Sequence, residues 1–215
     1  SHGNTAQQFI NSTDGYNLAA PQSYGTATVL DAATMDVAGA GANAQVSYSF
    51  ADADTASVAL DSSWNSIKNV EVSAQGAGNI TLSNFVHTDV SFGNGGDSVI
   101  SITDAKRGFI ETGDGNDVIT IDALTNNEHW SNVFDIDSGA GNDVIDFAGD
   151  KGITKSVIDS GAGDDSVTLS GNYKQSGVNL GTGNDNAAGG NGADVIYGGE
   201  GDDNISGGAG DDILY

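Results

Sequence analysis

The chain has no cysteine, a single proline and few basic residues: 6 Lys plus Arg stand against 30 Asp plus Glu among 215 residues. Without cysteine it can form neither a disulfide, nor a thiolate metal site, nor a cysteine nucleophile. The formal net charge of −24 argues against nucleic acid or an anionic membrane surface as a partner. Long apolar runs are also missing, and none approaches the ~18 residues of a membrane helix, so we expect no membrane insertion.

The acidity of the chain is almost entirely aspartate, because only four of the acids are glutamate. Aspartate has a short side chain that suits a tight turn and a hard cation. The chain also contains 32 glycines, with apolar residues at regular spacing between them. This regularity speaks against a disordered acidic tail.

Four aspartates recur every nine residues near the end of the sequence, at Asp185, Asp194, Asp203 and Asp212. Each lies two residues after a glycine and two before an apolar or small residue, most clearly in 190–196 and 199–205. A fixed nine-residue period with glycine, acid and apolar residue in constant places is a coil repeat. Hard carboxylates repeated along a coil favour calcium as the ligand.

These four copies resemble the nonapeptide repeats of the bacterial RTX family, GGxGxDxUx with an apolar residue at U. The resemblance implies an all-β fold, a right-handed parallel β-helix or β-roll solenoid that winds around rows of Ca²⁺. It also implies that Gly-x-Gly-x-Asp turns bind the metal through backbone carbonyls and Asp carboxylates. Members of the family are typically secreted and include toxins, proteases, lipases, epimerases, adhesins and surface-layer proteins. The repeat therefore indicates fold and metal more closely than overall function.

The Gly-x-Gly-x-Asp pattern occurs at four further places upstream, and the successive acids are spaced by 20, 26, 22 and 20 residues. A full β-roll coil takes two nine-residue halves, so each of these spacings matches one complete coil. The candidate calcium ligands are the glycines and the aspartate of all eight turns, namely Gly93, Gly95, Asp97, Gly113, Gly115, Asp117, Gly139, Gly141, Asp143, Gly161, Gly163, Asp165, Gly181, Gly183, Asp185, Gly190, Gly192, Asp194, Gly199, Gly201, Asp203, Gly208, Gly210 and Asp212.

The spacing also predicts two edges of the coil. We expect one edge to stack the acids Asp97, Asp117, Asp143, Asp165, Asp185 and Asp203. The opposite edge should stack Asp194 with Asp212 and carry ordinary loops before them, at 104–108, 123–132, 148–155 and 171–176. Five of the six basic residues lie in those loops and none lies in a Gly-x-Gly-x-Asp turn: Lys106, Arg107, Lys151, Lys155 and Lys174.

Apolar residues keep a constant distance from each acid, which predicts inward side chains on both flanking strands. Seven residues before the acids lie Val90, Ile110, Ile136, Ile158, Val178, Ala187, Ile196 and Ile205. Two residues after them lie Val99, Ile119, Ile145, Val167, Ala187, Ile196, Ile205 and Leu214. A second acidic row lies six residues before the ligand position and should point outward, where it either adds ligands or solvates the face: Glu111, Asp137 and Asp159, with Asn179 equivalent.

Upstream of residue 90 the acid pattern fades, and we divide the chain into 1–25, a linker or N-terminal cap, 26–89, a calcium-poor β region, and 90–215, the calcium-binding solenoid. The alternating residues 46–50 and 80–82 predict strands, either in earlier coils or in a capping β-domain. No window predicts a helix. Tyr215 occupies the repeat position of Tyr197, so we expect the chain to be a fragment whose repeat continues in the parent protein.

Calcium suits these turns because glycines permit the backbone conformations that aim carbonyls at one centre, and two stacked turns can supply its six to eight oxygen ligands. Magnesium requires a tighter octahedron, and zinc would need His or Cys, whereas the histidines His2, His87 and His129 are scattered. We therefore expect several Ca²⁺ ions. Stacked carboxylates repel one another without metal, so folding should depend on calcium.

The preferred interpretation is a non-catalytic, calcium-binding structural module of an exported bacterial cell-surface protein, such as an adhesin, a surface-layer protein or a filament-forming subunit. It would lie outside the cell or on its surface, associate with itself or with a surface or glycan partner, and have no nucleic-acid partner. The alternative is the repeat tail of a type I-secreted enzyme or toxin. No hydrolase, metalloprotease or nucleotide-binding motif is present in the sequence.

Two further alternatives have weaker support. Asp135 and Asp137 alternate on one predicted strand near 128–130, Glu-His-Trp, which is conceivable as an acid–base pair beside a sugar platform. Ice binding would need a flat row of threonines, but the outward row of the turns contains a single one, Thr182.

Overall fold

The computed structural model describes residues 6–11, 22–24, 45–50, 56–61, 69–93, 95–123, 133–148, 156–170 and 176–215. Within these ranges the chain forms strands, turns and no helix, as the sequence predicts. The strands are β1 (Ala6–Asn11), β2 (Gln22–Tyr24), β3 (Gln45–Phe50), β4 (Ala56–Asp61), β5 (Asn69–Ala74), β6 (Gly78–Ser83), β7 (His87–Phe92), β8 (Val99–Ala105), β9 (Arg107–Glu111), β10 (Val118–Ala123), β11 (Val133–Asp137), β12 (Val144–Ala148), β13 (Val157–Asp159), β14 (Ser166–Leu169), β15 (Gly177–Thr182), β16 (Asn186–Ala188), β17 (Val195–Glu200), β18 (Asn204–Ser206) and β19 (Ile213–Leu214). No helix that could cross a membrane occurs in the described part of the chain.

The strands form two sheets between which the chain alternates. The larger sheet has 11 strands in the order β19-β17-β15-β13-β11-β9-β7-β5-β3-β1-β2, and the smaller has 8 in the order β18-β16-β14-β12-β10-β8-β6-β4. From β3 onward, each strand pairs in parallel with the strand two elements later in the chain. Each coil thus contributes one strand to each sheet, and the predicted all-β parallel solenoid is confirmed.

The N-terminal end of the larger sheet differs from the rest, because β1 pairs antiparallel with both β3 and β2. The strands from β3 to β6, within the predicted calcium-poor region 26–89, belong to ordinary coils of the same solenoid. The predicted boundary at residue 90 falls inside β7, and the parallel pairing continues across it from β5 to β9.

The core is a set of inward-facing apolar columns between the two sheets. Period-two alternation buries every second side chain, as in β11, where Phe134 and Ile136 are buried and their neighbours are exposed. The inward positions seven residues before the acids form one such column, in which Val90, Ile110, Ile136, Ile158, Val178 and Ile196 are all buried. Phe134 and Phe147 meet edge to face, with ring centroids 6.0 Å apart. The predicted inward register is therefore confirmed for these residues.

Two of the residues predicted to point inward are exposed. Val99 is 45 % exposed, and its neighbour Ile100 is buried instead. The reason is one additional residue in the turn before β8: Ser91 pairs with Glu111, 20 residues later, but Val99 pairs with Val118, 19 residues later. Leu214 is also 45 % exposed, because β19 is the edge strand of its sheet and has a neighbour on one side only.

Candidate metal centre

The coil has two edges, which we name by the direction of the chain. At the first edge the chain passes from the larger to the smaller sheet, through turns at 93–98, 112–117, 138–143, 160–165, 183–185 and 201–203. At the second edge it returns to the larger sheet, at Lys106, at Ser156 and Ser176, and through turns at 189–194 and 207–212.

The aspartates of the first edge form a hydrogen-bonded column along the solenoid. In each coil, the backbone N–H of the aspartate donates to Oδ1 of the aspartate in the following coil. The N–O distances are 2.8 Å from Asp117 to Asp143, 2.8 Å from Asp143 to Asp165, 2.7 Å from Asp165 to Asp185 and 3.1 Å from Asp185 to Asp203. We call this set the aspartate column. Its stacking agrees with the spacing of the sequence.

The second edge repeats this arrangement over a shorter length. The N–H of Asp194 donates to Oδ1 of Asp212 at 3.0 Å. Asp194 lies directly before β17 of the larger sheet, and Asp185 directly before β16 of the smaller sheet. The nine-residue run therefore places successive acids on alternate edges, as predicted.

The second carboxylate oxygen of each buried aspartate in the aspartate column lacks a hydrogen-bond partner. Oδ2 is buried and unpaired in Asp117, Asp143, Asp165 and Asp185, and each of these residues is at most 1 % exposed. A buried carboxylate oxygen without a partner costs free energy. These oxygens form a row in adjacent coils, so a cation bound between the coils would satisfy them.

Burial also changes the protonation of the column. It raises the pKa of the Asp143 carboxyl from 3.8 to about 6, while the N–H of Asp117 and the Ser138 hydroxyl oppose the rise and the charges of Asp117 and Asp165 add to it. Burial likewise raises the pKa of Asp117, Asp165, Asp185 and Asp194. Without a cation, the fold therefore holds these carboxylates at an energetic cost.

The glycines of the turns are required by both backbone conformation and close packing. Gly139 and Gly141 have φ of 87° and 135°, which side-chain-bearing residues rarely adopt. A Cβ on either residue would overlap the carbonyl oxygen of the preceding coil, Gly113 O or Gly115 O respectively. The same left-handed φ occurs at twelve of the predicted ligand glycines: Gly113, Gly115, Gly139, Gly141, Gly161, Gly163, Gly181, Gly183, Gly199, Gly201, Gly208 and Gly210.

The remaining predicted glycines, Gly93, Gly95, Gly190 and Gly192, do not share this φ. The turn at 189–194 also differs in its hydrogen bonds. Oδ2 of Asp194 accepts from the N–H of Gly190 at 3.3 Å, whereas its Oδ1 is buried without a partner. Oγ of Ser176, one coil earlier in the same position, is buried and unpaired as well.

Asp97 lies one position away from its predicted place. Because of the additional residue in its turn, Ser98 occupies the column position and donates its N–H to Oδ1 of Asp117 at 2.6 Å. Asp97 instead aligns with Asn116, whose N–H donates to Asp97 Oδ1 at 2.9 Å. The expectation that Asp97 stacks directly on Asp117 is therefore wrong. Calcium binding by Asp97 stays a prediction, in a turn of different shape.

Two further columns were not predicted from the sequence. An outer column of exposed Asn and Asp side chains accepts backbone N–H groups from the following coil: Asp97, Asn116, Asn142, Asp164 and Asn184. A buried hydroxyl column donates to carbonyls of the following coil: Thr112, Ser138 and Ser160. Both have a signal in the sequence, since Asn or Asp precedes each first-edge aspartate from Asp117 to Asp203, and Thr or Ser precedes the first glycine of three turns.

The second acidic row faces outward, as predicted. Glu111 and Asp137 are exposed, Asp159 is half-buried, and the three residues are direct neighbours across β9, β11 and β13. Asn179 donates from Nδ2 to Asp159 Oδ1 at 3.1 Å. Partial burial and the charges of Asp159 and Glu111 raise the pKa of Asp137.

Several sequence predictions fall on or beside regions outside the described residues. Of the opposite-edge loops, 104–108 is a one-residue turn at Lys106 between β8 and β9, and Arg107 begins β9. Lys151, Lys155, Lys174 and the segment 128–130 lie outside the described ranges. Asp135 and Asp137, considered above as an acid–base pair, are both on the outer face of β11.

The donor set of the edges fits a hard cation. Among the described residues, no group of three or more His, Cys, Asp or Glu side chains converges on one point. Two aspartates from adjacent turns, with carbonyl and hydroxyl oxygens around them, are what the edges offer instead. Such an all-oxygen set suits Ca²⁺ and not zinc.

Comparison with known proteins supports this assignment. Residues 180–214 match the family model of the RTX calcium-binding nonapeptide repeat in 4 copies. No curated protein and no solved structure matches the chain. The chain therefore carries RTX calcium-binding nonapeptide repeats, and they form the last coils of its β-solenoid.

Proposed function

We propose that the chain is a calcium-binding structural module of an exported bacterial cell-surface protein and that it folds on binding Ca²⁺. The observation that carries the proposal is the row of buried, unpaired Oδ2 atoms on Asp117, Asp143, Asp165 and Asp185. Ca²⁺ takes six to eight oxygen ligands in flexible geometry, which stacked turns of aspartate and glycine can provide. The ions would bind along most of the first edge and at the end of the second.

The proposed role is mechanical and not catalytic. A solenoid in which each coil contacts only its neighbours is stabilised coil by coil, so cations bound between coils would stiffen it along its length. Export fits this role, because RTX repeats are typical of exported proteins and folding on calcium would begin where the ion is abundant.

The test is the calcium dependence of folding. We expect the far-UV circular dichroism of the purified chain to show little β-structure in EDTA and to gain it when Ca²⁺ is added to millimolar concentration, because the carboxylates then cease to repel. Mg²⁺ at the same concentration is the control and should have a smaller effect. A spectrum that is the same in EDTA and in calcium would contradict the proposal.

A second experiment separates the surface scaffold from its alternative, the repeat tail of a secreted enzyme or toxin. Light scattering and electron microscopy would follow the chain after calcium is added. Assembly into sheets or filaments supports the scaffold, whereas a stable monomer supports the tail.

A further inference from the structure

On each edge, serine occupies the column position in coils that precede the aspartates: Ser98 on the first edge, and Ser156 and Ser176 on the second. Ser98 precedes Asp117 in the aspartate column and is 1 % exposed. Ser156 has the same position on the second edge, two coils before Asp194, and is also 1 % exposed. Neither Ser98 nor Ser156 occupies the aspartate position of a Gly-x-Gly-x-Asp motif in the sequence.

Ser98 and Ser156 make the inter-coil hydrogen bond that the aspartates make, whereas Oγ of Ser176, between Ser156 and Asp194, is buried without a partner. Oγ of Ser98 accepts from the N–H of Gly78 at 3.2 Å, and Oγ of Ser156 accepts from the N–H of Phe134 at 2.9 Å. In the column, Oδ1 of Asp143 accepts from the N–H of Asp117 in the same way, at 2.8 Å. A serine hydroxyl thus substitutes for Oδ1, but it has no counterpart of the buried, unpaired Oδ2.

We propose that the two oxygens of each column aspartate have separate tasks: Oδ1 joins adjacent coils, Oδ2 binds the cation, and Ser98 and Ser156 keep the first task without the second. This inference rests on the proposed calcium binding. It places the N-terminal limit of the cation row of the aspartate column after Ser98, so that the row begins at the turn of Asp117, whose Oδ2 is the first to be buried and unpaired.

Three substitutions at Asp143 separate the tasks. Asp143→Ser and Asp143→Asn each retain an acceptor for the N–H of Asp117 and remove the charged Oδ2, whereas Asp143→Ala removes both. Calcium titration calorimetry should find at least one fewer ion in all three variants than in the wild type. Amide hydrogen exchange of Asp117 in saturating calcium should stay slow in the Ser and Asn variants and become about fivefold faster in the Ala variant.

A substitution at Ser98, which precedes the aspartate column, gives a second measurement if the Asp143 variants do not fold. Ser98→Ala should leave the number of bound Ca²⁺ ions unchanged and accelerate exchange of the Gly78 amide, because only the hydrogen bond is lost. Loss of an ion from this variant, or full calcium binding by Asp143→Ser, would overturn the inference. A wild-type chain that binds no calcium would instead refute the proposed function, and the exchange rates would still report on the hydrogen bonds.

Discussion

Two segments of the described solenoid, here called the apolar half and the acidic half, differ in the residues that fill their interior and their turns. The apolar half, residues 69–105, has an interior of large side chains that includes Ile80, Leu82, Phe85 and Phe92, all buried. The acidic half, residues 176–215, has a thinner interior, in which Ala187 is buried and Ile205 is only partly so.

The turns of the two halves differ as well, because buried carboxylates occur in the acidic half and not in the apolar half. The apolar half buries no carboxylate in its turns, and the column position there is the uncharged Ser98. The acidic half buries Asp185 and Asp194 on its two edges, each with one oxygen unpaired. The apolar half therefore depends mainly on apolar burial, while the acidic half combines less apolar burial with repelling charges. The comparison indicates that calcium compensates where the core becomes thin.

Removal of calcium should have the largest effect, and it should destabilise the acidic half more than the apolar half. In EDTA we expect the amides of the acidic half to lose their protection from hydrogen exchange first, because its carboxylates are then uncompensated. The amides of β5 to β8 should be the last to lose theirs as calcium is withdrawn. Residue-resolved exchange during a calcium titration measures both halves in one sample, and simultaneous loss in the two halves would contradict the comparison.

Truncation of the core should show the reverse asymmetry. Ile80→Ala removes a fully buried side chain from the apolar half and should lower the free energy of unfolding by about 2–5 kcal/mol. Ile205→Ala, the matched change in the acidic half, should cost less because Ile205 is already partly exposed. Urea unfolding in saturating calcium measures both. Equal losses would mean that the thin core carries as much of the stability as the thick one.

Introducing a side chain into a stacked turn tests the close packing of the first edge. Gly141→Ala would place a Cβ against the carbonyl of Gly115 at a φ of 135°, and should lower the free energy of unfolding by about 1–3 kcal/mol. Gly177→Ala is the control, since Gly177 has open space around its Cβ position and no left-handed φ. Thermal unfolding in calcium compares them, and similar melting temperatures for the two variants would show that the turns tolerate looser stacking.

Acid should weaken calcium binding by protonating the column. Burial raises the pKa of Asp143 from 3.8 to about 6 in the metal-free fold. The folded chain then binds this proton more tightly than the unfolded chain, so the metal-free fold gains stability as the pH falls from about 6 towards 3.8. Calcium must displace the proton, and its affinity falls over the same window. Calcium titration of the folded chain should give a lower affinity at about pH 5 than at about pH 7, and an unchanged affinity would contradict the assignment. The calcium concentration at half-folding should change little, because Asp143 is deprotonated in both the unfolded chain and the calcium-bound fold over this window.

The sequence predicted the architecture well because the constraint is local and repeated. A repeated turn motif with an apolar residue seven positions before the acid defines strand, turn and inward face at once, and it placed Ile110, Ile136 and Ile158 correctly in one column. The same logic assigned Asp185 and Asp194 to different edges. Periodicity carries this information without any knowledge of packing.

The prediction failed where a coil departs from the period. The acid spacing of 20 between Asp97 and Asp117 matched the strand offset on the larger sheet, but the smaller sheet has an offset of 19. A single additional residue in one turn exchanges the two faces of the following strand, so it exposed Val99 and moved Ser98 into the column. The motif does not specify where in the turn an additional residue is accommodated, because this depends on inter-coil hydrogen bonds.

The smallest expected effect concerns the second acidic row, whose role the sequence left open. Asp137 lies between Glu111 and Asp159 on the outer face, and its pKa is raised by partial burial and then by the charges of Asp159 and Glu111. If the row only solvates the face, Asp137→Asn should remove repulsion and stabilise the fold by a few tenths of a kcal/mol (about 0.2–0.5), since exposed charges are well screened. If the row adds ligands, the same variant should bind calcium more weakly. Calcium titration and urea unfolding of this variant distinguish the two roles, with Asp146→Asn, which removes the same charge from β12 of the smaller sheet, as the control. A weaker calcium affinity would extend the metal edge onto the face of the larger sheet and narrow the contrast between the two halves.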